Sequence, residues 1–411
     1  MKLITISLSP NTEKDDILLA AKLIFKPWLW IKGNAIEKLE KEFKEYLGIK
    51  FAFSFNSGRS SLIAVLNALG LEKGDEVLLQ AFTCNAVVNP ILWQDLRPVF
   101  VDCNENDFNI DFADLKRKIS PKAKALIIQH TFGIPADIDE IIKFCKENKL
   151  ILIEDCAHSL GSTHKSKKIG TFGDISFFSF SRDKVISSVY GGMVATNNVD
   201  LAQKVKDFQE KIKKPFCFWV LQQLLHPVLM NWLILPTYKI FGKYLLIMFQ
   251  WTHVLSKAVH WKEKRGLKPA YFPKRMSNAL AILALNQLKK LERFNLHRKE
   301  IADFYYNELK NTKFILPEIS KDKNQNFLRF VVRHPKAHEI INKAFSKNIL
   351  IGDWYTTPIA PHDTKLYKMQ YLPGSCPIAE KLAKEIINLP THINTSLKDA
   401  QKVIEFLKQW K

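Results

Sequence analysis

The chain has 411 residues, 47% of them hydrophobic and 25% charged, a composition that excludes a disordered protein and predicts two domains with a large core. Its formal net charge of +20 arises from 61 Lys and Arg against 41 Asp and Glu. The basic residues are spread along the chain without a dense tract, which argues against a nucleic-acid site. Three explanations of the positive charge remain: it keeps the protein soluble, it attracts an anionic substrate, or it attracts an anionic membrane surface.

The six cysteines form no CxxC pair and show no regular spacing, and the first residues lack the architecture of a signal peptide. We therefore expect a reduced, cytoplasmic protein. The sequence contains no HExxH motif, Cys/His cluster or acidic loop that would predict a metal site.

The first part of the chain predicts two helices, a short strand and a phosphate-binding turn. Helical periodicity covers residues 15–25 and 35–47, and residues 51–55 have the composition of a strand. Residues 56–61 then form a turn of small residues, NSGRSS, before a helix with apolar residues at i, i+3, i+4 and i+7. Such a turn offers free backbone N–H groups and the positive end of the helix dipole to a phosphate.

The following elements alternate between strands and helices. Strands are predicted over residues 76–79, 97–102 and 124–129, and a helix over residues 138–148. This alternation favours an α/β fold whose mostly parallel sheet is covered by helices on both faces.

Two buried strands lead to charged residues. Residues 150–155 form an apolar strand that ends in Asp155, and ligand sites of open α/β sheets lie at this end of the strands. A second apolar run, residues 175–180, stops at residues 181–184 and resumes as a strand over residues 193–196. Lys184 therefore lies on an irregular link, either turned to water or held in a site that lowers its pKa for use as a nucleophile.

These elements supply an amine, a carboxylate for a ring nitrogen and a phosphate cradle, which together suit pyridoxal phosphate (PLP). In order and spacing, the chain resembles the DegT/DnrJ/EryC1/StrS aminotransferases over nearly its whole length. These are PLP enzymes of fold type I, the aspartate aminotransferase-like fold, and are mostly sugar aminotransferases. The stretches that carry the resemblance are NSG at 56–58, GDEV at 74–77, PVFVD at 98–102, HTFG at 130–133, EDCAH at 154–158, SF at 179–180 with Lys184, GGM at 191–193, NQL at 286–288, PIAE at 377–380 and LP at 389–390.

The resemblance implies a role for each of four side chains. Lys184 would hold PLP covalently and, once displaced by an amine substrate, would move a proton between the substrate Cα and C4′ of the cofactor. Asp155 would pair with the pyridinium nitrogen, and His158 would orient the ring beside its phenolic oxygen. Ser179 would bind the phosphate.

Two positions near the cofactor depart from the family pattern. Arg59 stands where relatives have Thr, and its side chain either adds a phosphate contact or points elsewhere. The backbone N–H groups of Arg59 and Ser60, after Gly58, would serve the phosphate in either case. Cys84 stands at the usual aromatic ring-stacking position, with Phe82 two places earlier, so a cofactor contact and a buried filler both remain open for the thiol.

The chain departs most from the family over residues 214–265, a hydrophobic, Trp-rich insertion between a large PLP-binding domain, residues 1–213, and a small α+β domain, residues 266–411. A helical hairpin buried in a dimer, a monotopic membrane contact and a true membrane span are the alternatives for it. The insertion also displaces a family Asn-x-Arg stretch that reaches the partner's active site, because Pro273 stands where the Asn would be.

The small domain is expected to contain helices over residues 276–294, 338–346 and 397–407 and a strand over residues 327–332. Its matching stretches are short. They do not identify a substrate.

The resemblance implies a homodimeric aminotransferase that moves an amino group from glutamate or glutamine to a keto-sugar, with a nucleotide-linked sugar expected, in glycan or amino-sugar biosynthesis. Two alternatives stay open: another fold type I reaction of the dehydratase type, and an inactive scaffold or membrane-associated binding component. Family dehydratases carry His at the position of Lys184, so the lysine favours transamination.

Overall fold

A seven-stranded sheet forms the centre of the protein, whose computed structural model describes residues 3–318 and 320–410. Its strands in chain order are β1 (Phe51–Phe55), β2 (Glu76–Gln80), β3 (Arg97–Val101), β4 (Ala123–Gln129), β5 (Ile151–Asp155), β6 (Ile175–Ser179) and β7 (Gly192–Thr196). The spatial order is β1-β7-β6-β5-β4-β2-β3, and only β7 runs antiparallel to its neighbours. This sheet confirms the predicted mostly parallel architecture.

Helices cover the sheet and build the rest of the chain. Those of the described residues are α1 (Lys14–Ile24), α2 (Trp28–Ile31), α3 (Ala35–Leu47), α4 (Gly58–Leu69), α5 (Asn85–Leu92), α6 (Phe112–Lys118), α7 (Ile138–Glu147), α8 (Val199–Lys211), α9 (Cys217–Leu229), α10 (Lys243–Trp251), α11 (Asn278–Leu288), α12 (Leu291–Leu309), α13 (Ala337–Ser346), α14 (Pro377–Glu385) and α15 (Leu397–Leu407). Five of these helices, α1, α3, α7, α13 and α15, were predicted with bounds that agree with the structure to within one residue.

Two further strands, β8 (Phe330–Arg333) and β9 (Ile386–Leu389), pair antiparallel in the C-terminal part, where α12, α13 and α15 share a buried apolar cluster with them. Short two-residue strands lie at Ile4–Thr5, Thr83–Cys84, Thr163–His164, Lys167–Lys168, Lys323–Asn324, Ile349–Leu350 and Ile359–Ala360. The domain boundaries at residues 213 and 265 stay predictions.

The start of α4 is packed closely against the sheet. Ser57 caps the helix, since its side chain accepts a hydrogen bond from the Ser60 N–H, and β7 passes directly behind this turn. A Cβ on Gly192 would lie 2.5 Å from the carbonyl carbon of Ser57, a distance that only glycine permits. Gly192 therefore lets the sheet support the predicted phosphate turn from behind.

The predicted helix over residues 276–294 is wrong as a single element. The structure has two helices, α11 and α12, which are separated at Lys289 and Lys290. Leu288 and Leu291 are both buried, and residues three apart share a face of a continuous helix, so the apolar periodicity concealed the break. Lys290 binds Asp15 and Asp16 of α1 at 2.6 and 3.0 Å, which ties the break to the N-terminal helix.

The insertion forms α9 and α10, joined through two π-helical turns, Met230–Ile234 and Tyr238–Gly242. Among the described residues, 217–234 make the one helical segment long and apolar enough to cross a membrane, and 50% of it is buried in the protein. It packs against α1, α2 and α11, as a core helix does.

Candidate active site

One cavity of about 180 Å³ lies at the carboxyl ends of β5 and β6 and at the start of α4. It brings together seven of the eight side chains or turn residues predicted from the sequence, namely Gly58, Arg59, Cys84, Asp155, His158, Ser179 and Lys184. A larger groove of about 520 Å³ lies between the N-terminal residues, the insertion and the C-terminal part, and none of the eight lines it. The smaller cavity is therefore the candidate site.

Lys184 lies on the link between β6 and β7, as predicted, with its ammonium inside the cavity. Its Nζ is 4.5 Å from the centroid of the Trp354 ring, and its backbone N–H donates to the Ser181 carbonyl at 3.2 Å. Its own carbonyl accepts from the Asn11 amide. Burial lowers the pKa of Lys184, so the neutral, nucleophilic amine is more populated near neutral pH than on a surface lysine.

Asp155 closes β5 and is 3% exposed. One carboxylate oxygen accepts from the Ala157 N–H at 2.9 Å. Burial raises the pKa of Asp155 to about 6, while the Ala157 hydrogen bond and the charge of Lys184 act against that rise. A cationic group in the cavity would therefore meet a carboxylate that forms no salt bridge with any other described residue.

His158 is neutral, and its ring lies nearly parallel to the ring of Trp354. Its Nδ1 accepts from the Phe132 N–H at 3.3 Å, and its Nε2 lies 3.4 Å from the Tyr355 hydroxyl. The imidazole stacks on the Trp354 ring, with centroids 5.2 Å apart and planes 16° from parallel. Burial, with the charges of Lys184 and Arg329, lowers the pKa of His158. Because Nδ1 accepts a hydrogen bond, we assign the ring proton to Nε2.

The end of the cavity where phosphate binding is predicted is built by the first turn of α4 and by Ser179 of β6. A Cβ on Gly58 would lie 2.9 Å from the Ser179 Cβ, so glycine lets the two elements touch. The N–H groups of Gly58 and Arg59 belong to the first helical turn, where a helix offers no internal acceptor. Ser60 is different, because its N–H donates to Ser57 Oγ at 3.1 Å and its hydroxyl to Asn56 Oδ1 at 2.6 Å. Ser60 therefore shapes the turn from behind.

Cys84 lines the cavity, whereas Phe82 does not. The Cys84 sulfur accepts from the Ala86 N–H at 3.5 Å, and burial raises the pKa of its thiol. Phe82 packs edge-on against Tyr355 at 5.5 Å and lies in the apolar core. Four aromatic residues line the cavity, Phe177, Tyr190, Trp354 and Tyr355, and the last two come from the C-terminal part of the chain.

Glu154 has a structural role. Its carboxylate accepts from the N–H groups of Gly170 and Gly173 at 2.9 and 2.7 Å, and it lies 3.3 Å from His130. These contacts secure the link that precedes β6.

The side chain of Arg59 points away from the phosphate turn and into the insertion. Its Nε lies 2.5 Å from a carboxylate oxygen of Glu263, and its terminal nitrogen donates to the Ala258 carbonyl at 3.0 Å. Arg59 is 9% exposed and Glu263 is fully buried. The open question of the Arg59 side chain is thus answered by an ion pair within the protein.

Two further contacts attach the C-terminal end of the insertion to the site. Arg182 donates to the Ser256 carbonyl at 2.6 Å, and the Tyr190 hydroxyl donates to the Lys257 carbonyl at 2.7 Å. Ala258 and Val259 line the cavity directly. Residues 258 and 259 therefore form part of a wall of the site, and the contacts of residues 256, 257 and 263 hold this wall in place.

The sequence interpretation missed Trp354, Tyr355, Arg329 and Glu263. The Arg329 guanidinium carbon lies 3.3 Å from the centroid of the Trp354 ring, and Arg329 pairs with Asp183 at 3.5 Å. Glu263 carried a signal, since it is the first acidic residue after 52 positions, 211–262, that contain no Asp or Glu. The others carried none, because they lie on loops far along the chain from Lys184.

The buried Arg59–Glu263 pair predicts strong coupling between the two residues. Replacing either one, in Arg59→Met or Glu263→Met, leaves a buried charge without its partner and is expected to lower the free energy of unfolding by about 3–5 kcal/mol. The double variant leaves no unpaired charge. Its loss of unfolding free energy should therefore be at least ~2 kcal/mol smaller than the sum of the losses in the two single variants.

Urea unfolding of the four proteins measures this coupling. The exposed pair Lys41–Glu45, at 3.9 Å, is the matched control, and its removal should change the unfolding free energy by less than about 0.5 kcal/mol. Additive effects of Arg59→Met and Glu263→Met would contradict the ion pair.

The raised pKa of Asp155 predicts a pH-dependent loss of stability. The ordinary value is 3.8 and the folded value about 6, so the folded protein binds this proton more tightly than the unfolded chain. The resulting loss of unfolding free energy is absent below pH 3.8, grows as the pH rises from 3.8 to about 6, and is complete above about pH 6. Across that window we expect the wild type to lose roughly 3 kcal/mol of unfolding free energy relative to Asp155→Asn.

Denaturant unfolding of both proteins without cofactor, at about pH 4 and about pH 7, checks this expectation. The same pH dependence in the wild type and in Asp155→Asn would show that Asp155 ionises freely.

Comparison with known proteins agrees with this geometry. The sequence matches the DegT/DnrJ/EryC1/StrS aminotransferase family over residues 11–216 and 251–408, so the unmatched gap lies inside the insertion. It is 29% identical over 385 residues to the GDP-perosamine synthase of Escherichia coli O157:H7, covering 93% of this chain and 92% of that protein. It is 26% identical over 396 residues to the dTDP-3-amino-3,6-dideoxy-alpha-D-galactopyranose transaminase of Aneurinibacillus thermoaerophilus, covering 96% and 95%.

Among solved structures, Spr1654 of Streptococcus pneumoniae in its PLP form matches with a TM-score of 0.78 and 20% identity, over 99% of this chain and 98% of that chain. This likeness confirms the predicted fold type. The chain belongs to the DegT/DnrJ/EryC1/StrS family, the PLP-dependent sugar aminotransferases.

Proposed function

We propose that this protein transfers an amino group from glutamate or glutamine to a nucleotide-linked keto-sugar. One observation carries the proposal: the cavity combines a buried amine, Lys184, with a buried carboxylate, Asp155, and an open helix N-terminus at Gly58. An inactive scaffold has no physical need for all three.

The residues of the cavity fit PLP. The first turn of α4 and the Ser179 hydroxyl would hold its phosphate, and the carboxylate of Asp155 would hold its ring nitrogen in the protonated form. His158, stacked on Trp354, would orient the ring, and Cys84 would lie beside it. When bound, PLP supplies an aldehyde that accepts the donor's amine and a ring that withdraws electrons from the substrate Cα.

Lys184 has two tasks in this proposal. Its Nζ would hold the cofactor before the substrate enters, and once free it would carry a proton from the substrate Cα to C4′ of the cofactor. The lowered pKa of Lys184 suits both tasks, because only the neutral amine attacks a carbonyl or accepts a proton. Trp354, which is 4.5 Å from this Nζ, covers the amine with an apolar surface.

A nucleotide-linked acceptor is supported by two observations. The names of the two relatives given above contain GDP and dTDP. The formal net charge of +20 favours the approach of an anionic diphosphate substrate.

We further propose a cytoplasmic homodimer with a peripheral membrane contact through residues 214–265. Phe25 and Trp28, which are 79% and 63% exposed near the junction of α1 and α2, offer an apolar surface for a second copy. The membrane surface is derived in the next subsection.

The experiment is transfer of nitrogen-15. We expect glutamate labelled at its amino group to yield 2-oxoglutarate and, with GDP- or dTDP-linked keto-sugars, an aminated sugar that carries the label. Lys184→Ala should lower the rate at least about 100-fold, since it loses the proton-transferring base. Lys165→Ala, an exposed lysine paired with Asp139, is the control and should retain the wild-type rate.

Mass spectrometry of the sugar separates the alternatives. Loss of water from the sugar without gain of nitrogen would favour a dehydratase-type reaction. A folded protein that converts neither glutamate nor any of the sugars would overturn the proposal in favour of a scaffold.

A further inference from the structure

The insertion is much denser in exposed large hydrophobic side chains than the rest of the chain. Nearly half of the large hydrophobic side chains that the described residues expose lie within residues 216–261: Phe216, Phe218, Trp232, Ile240, Phe241, Tyr244, Ile247, Met248, Trp251 and Trp261. Scattered single side chains of this kind are ordinary on protein surfaces, but a concentration of them marks a contact surface.

Helix α10 lies at the centre of this surface and is apolar on two faces. Leu246 and Phe249 pack inward on a small buried cluster of Met230, Ile234 and Leu255. The opposite face carries residues at i, i+3, i+4 and i+7 that are exposed by 69, 56, 45 and 80%: Tyr244, Ile247, Met248 and Trp251. We call these four residues the outer face. A helix that is apolar all round needs a cover on both sides, and the protein supplies only one.

The charges of the segment that carries the outer face have one sign. Residues 211–262 contain seven lysines and no Asp or Glu. Lys243 begins α10, and Lys262 lies over the ring of Trp261 at 5.8 Å. Tyr and Trp beside lysines are the residues that proteins place at the boundary between lipid headgroups and acyl chains.

We propose that the outer face of α10 lies in the interfacial layer of an anionic lipid bilayer, with the helix parallel to the membrane plane. This inference deepens the peripheral contact of the proposed function and is independent of the acceptor sugar. An isologous contact between two copies through this face would bring like-charged lysines together with no acid of the segment to pair them. An anionic bilayer supplies the missing countercharge.

Helix α9 stays in the protein in this arrangement. Its polar side chains point into the structure, where Gln222 donates to the His253 carbonyl at 2.5 Å and His226 contacts Ser9 at 3.0 Å. Extracting them into lipid would break these hydrogen bonds. The contact is therefore monotopic and not a span.

The test is flotation of the full-length protein, loaded with PLP, with vesicles of phosphatidylcholine and phosphatidylglycerol. We expect binding to these vesicles, little binding to phosphatidylcholine alone, and release by high salt. The double variant Ile247→Ser/Trp251→Ser should reduce vesicle binding at least about tenfold, since it removes two apolar anchors. The matched control, Tyr367→Ser/Leu372→Ser, changes residues that are 71% and 72% exposed outside the insertion and should bind as the wild type does.

Three results would overturn the proposal: absence of flotation, equal loss of binding in both double variants, or binding that ignores lipid charge. Sedimentation without vesicles tests whether a second copy of the chain covers the outer face instead. That would be the result if Ile247→Ser/Trp251→Ser were monomeric while the wild type and the control variant were dimeric. Nitrogen transfer in solution is measured on the same variants. It should be unchanged in both, so failure of the membrane contact and failure of the aminotransferase reaction are distinguishable.

Discussion

Burial of an amine and a carboxylate in one cavity is the constraint on which the site depends. Removing Lys184 and Asp155 from water lowers the pKa of the lysine and raises that of the aspartate, so each is destabilised in its charged form. The fold holds these groups in one cavity despite the cost of burying them, because parallel strands end at the same edge of the sheet. Asp155 on β5 pairs with Phe177 on β6, two residues before Ser179. PLP carries an aldehyde, a ring nitrogen and a phosphate, and the amine, the carboxylate and the helix N-terminus of this cavity match these groups in chemistry.

The insertion is part of this site and not an appendage to it. Arg59, at the start of α4, forms an ion pair with Glu263 at the C-terminal end of the insertion. Arg182 donates a hydrogen bond to Ser256 in the same stretch. The Arg59 side chain, for which the sequence left open a phosphate contact or another direction, instead fixes a wall of the cavity. Because α10 immediately precedes that wall, the apolar surface of the insertion lies on the same polypeptide segment as the site, although its residues do not line the cavity.

Local pattern was sufficient to predict most of the sheet and to single out Lys184, Asp155 and the turn at Gly58, whereas the roles of His158, Ser179 and Cys84 were implied by the family resemblance. The strands of the sheet are short apolar runs bounded by turn residues, and Lys184, Asp155 and Gly58 stand at the ends of such elements. Contacts between distant segments could not be predicted this way. Trp354 and Arg329 meet Lys184 and Asp183 only because the C-terminal part folds back over the cavity. The break between α11 and α12 was hidden for a related reason, since burial of Leu288 and Leu291 preserves helical periodicity across it.

Borohydride reduction of the PLP-loaded protein, followed by peptide mass mapping, tests the central claim most directly. The account predicts a single reduced adduct on the peptide that contains Lys184, and its absence from Lys184→Ala. An adduct on another lysine, or none in protein shown to be folded, would contradict it.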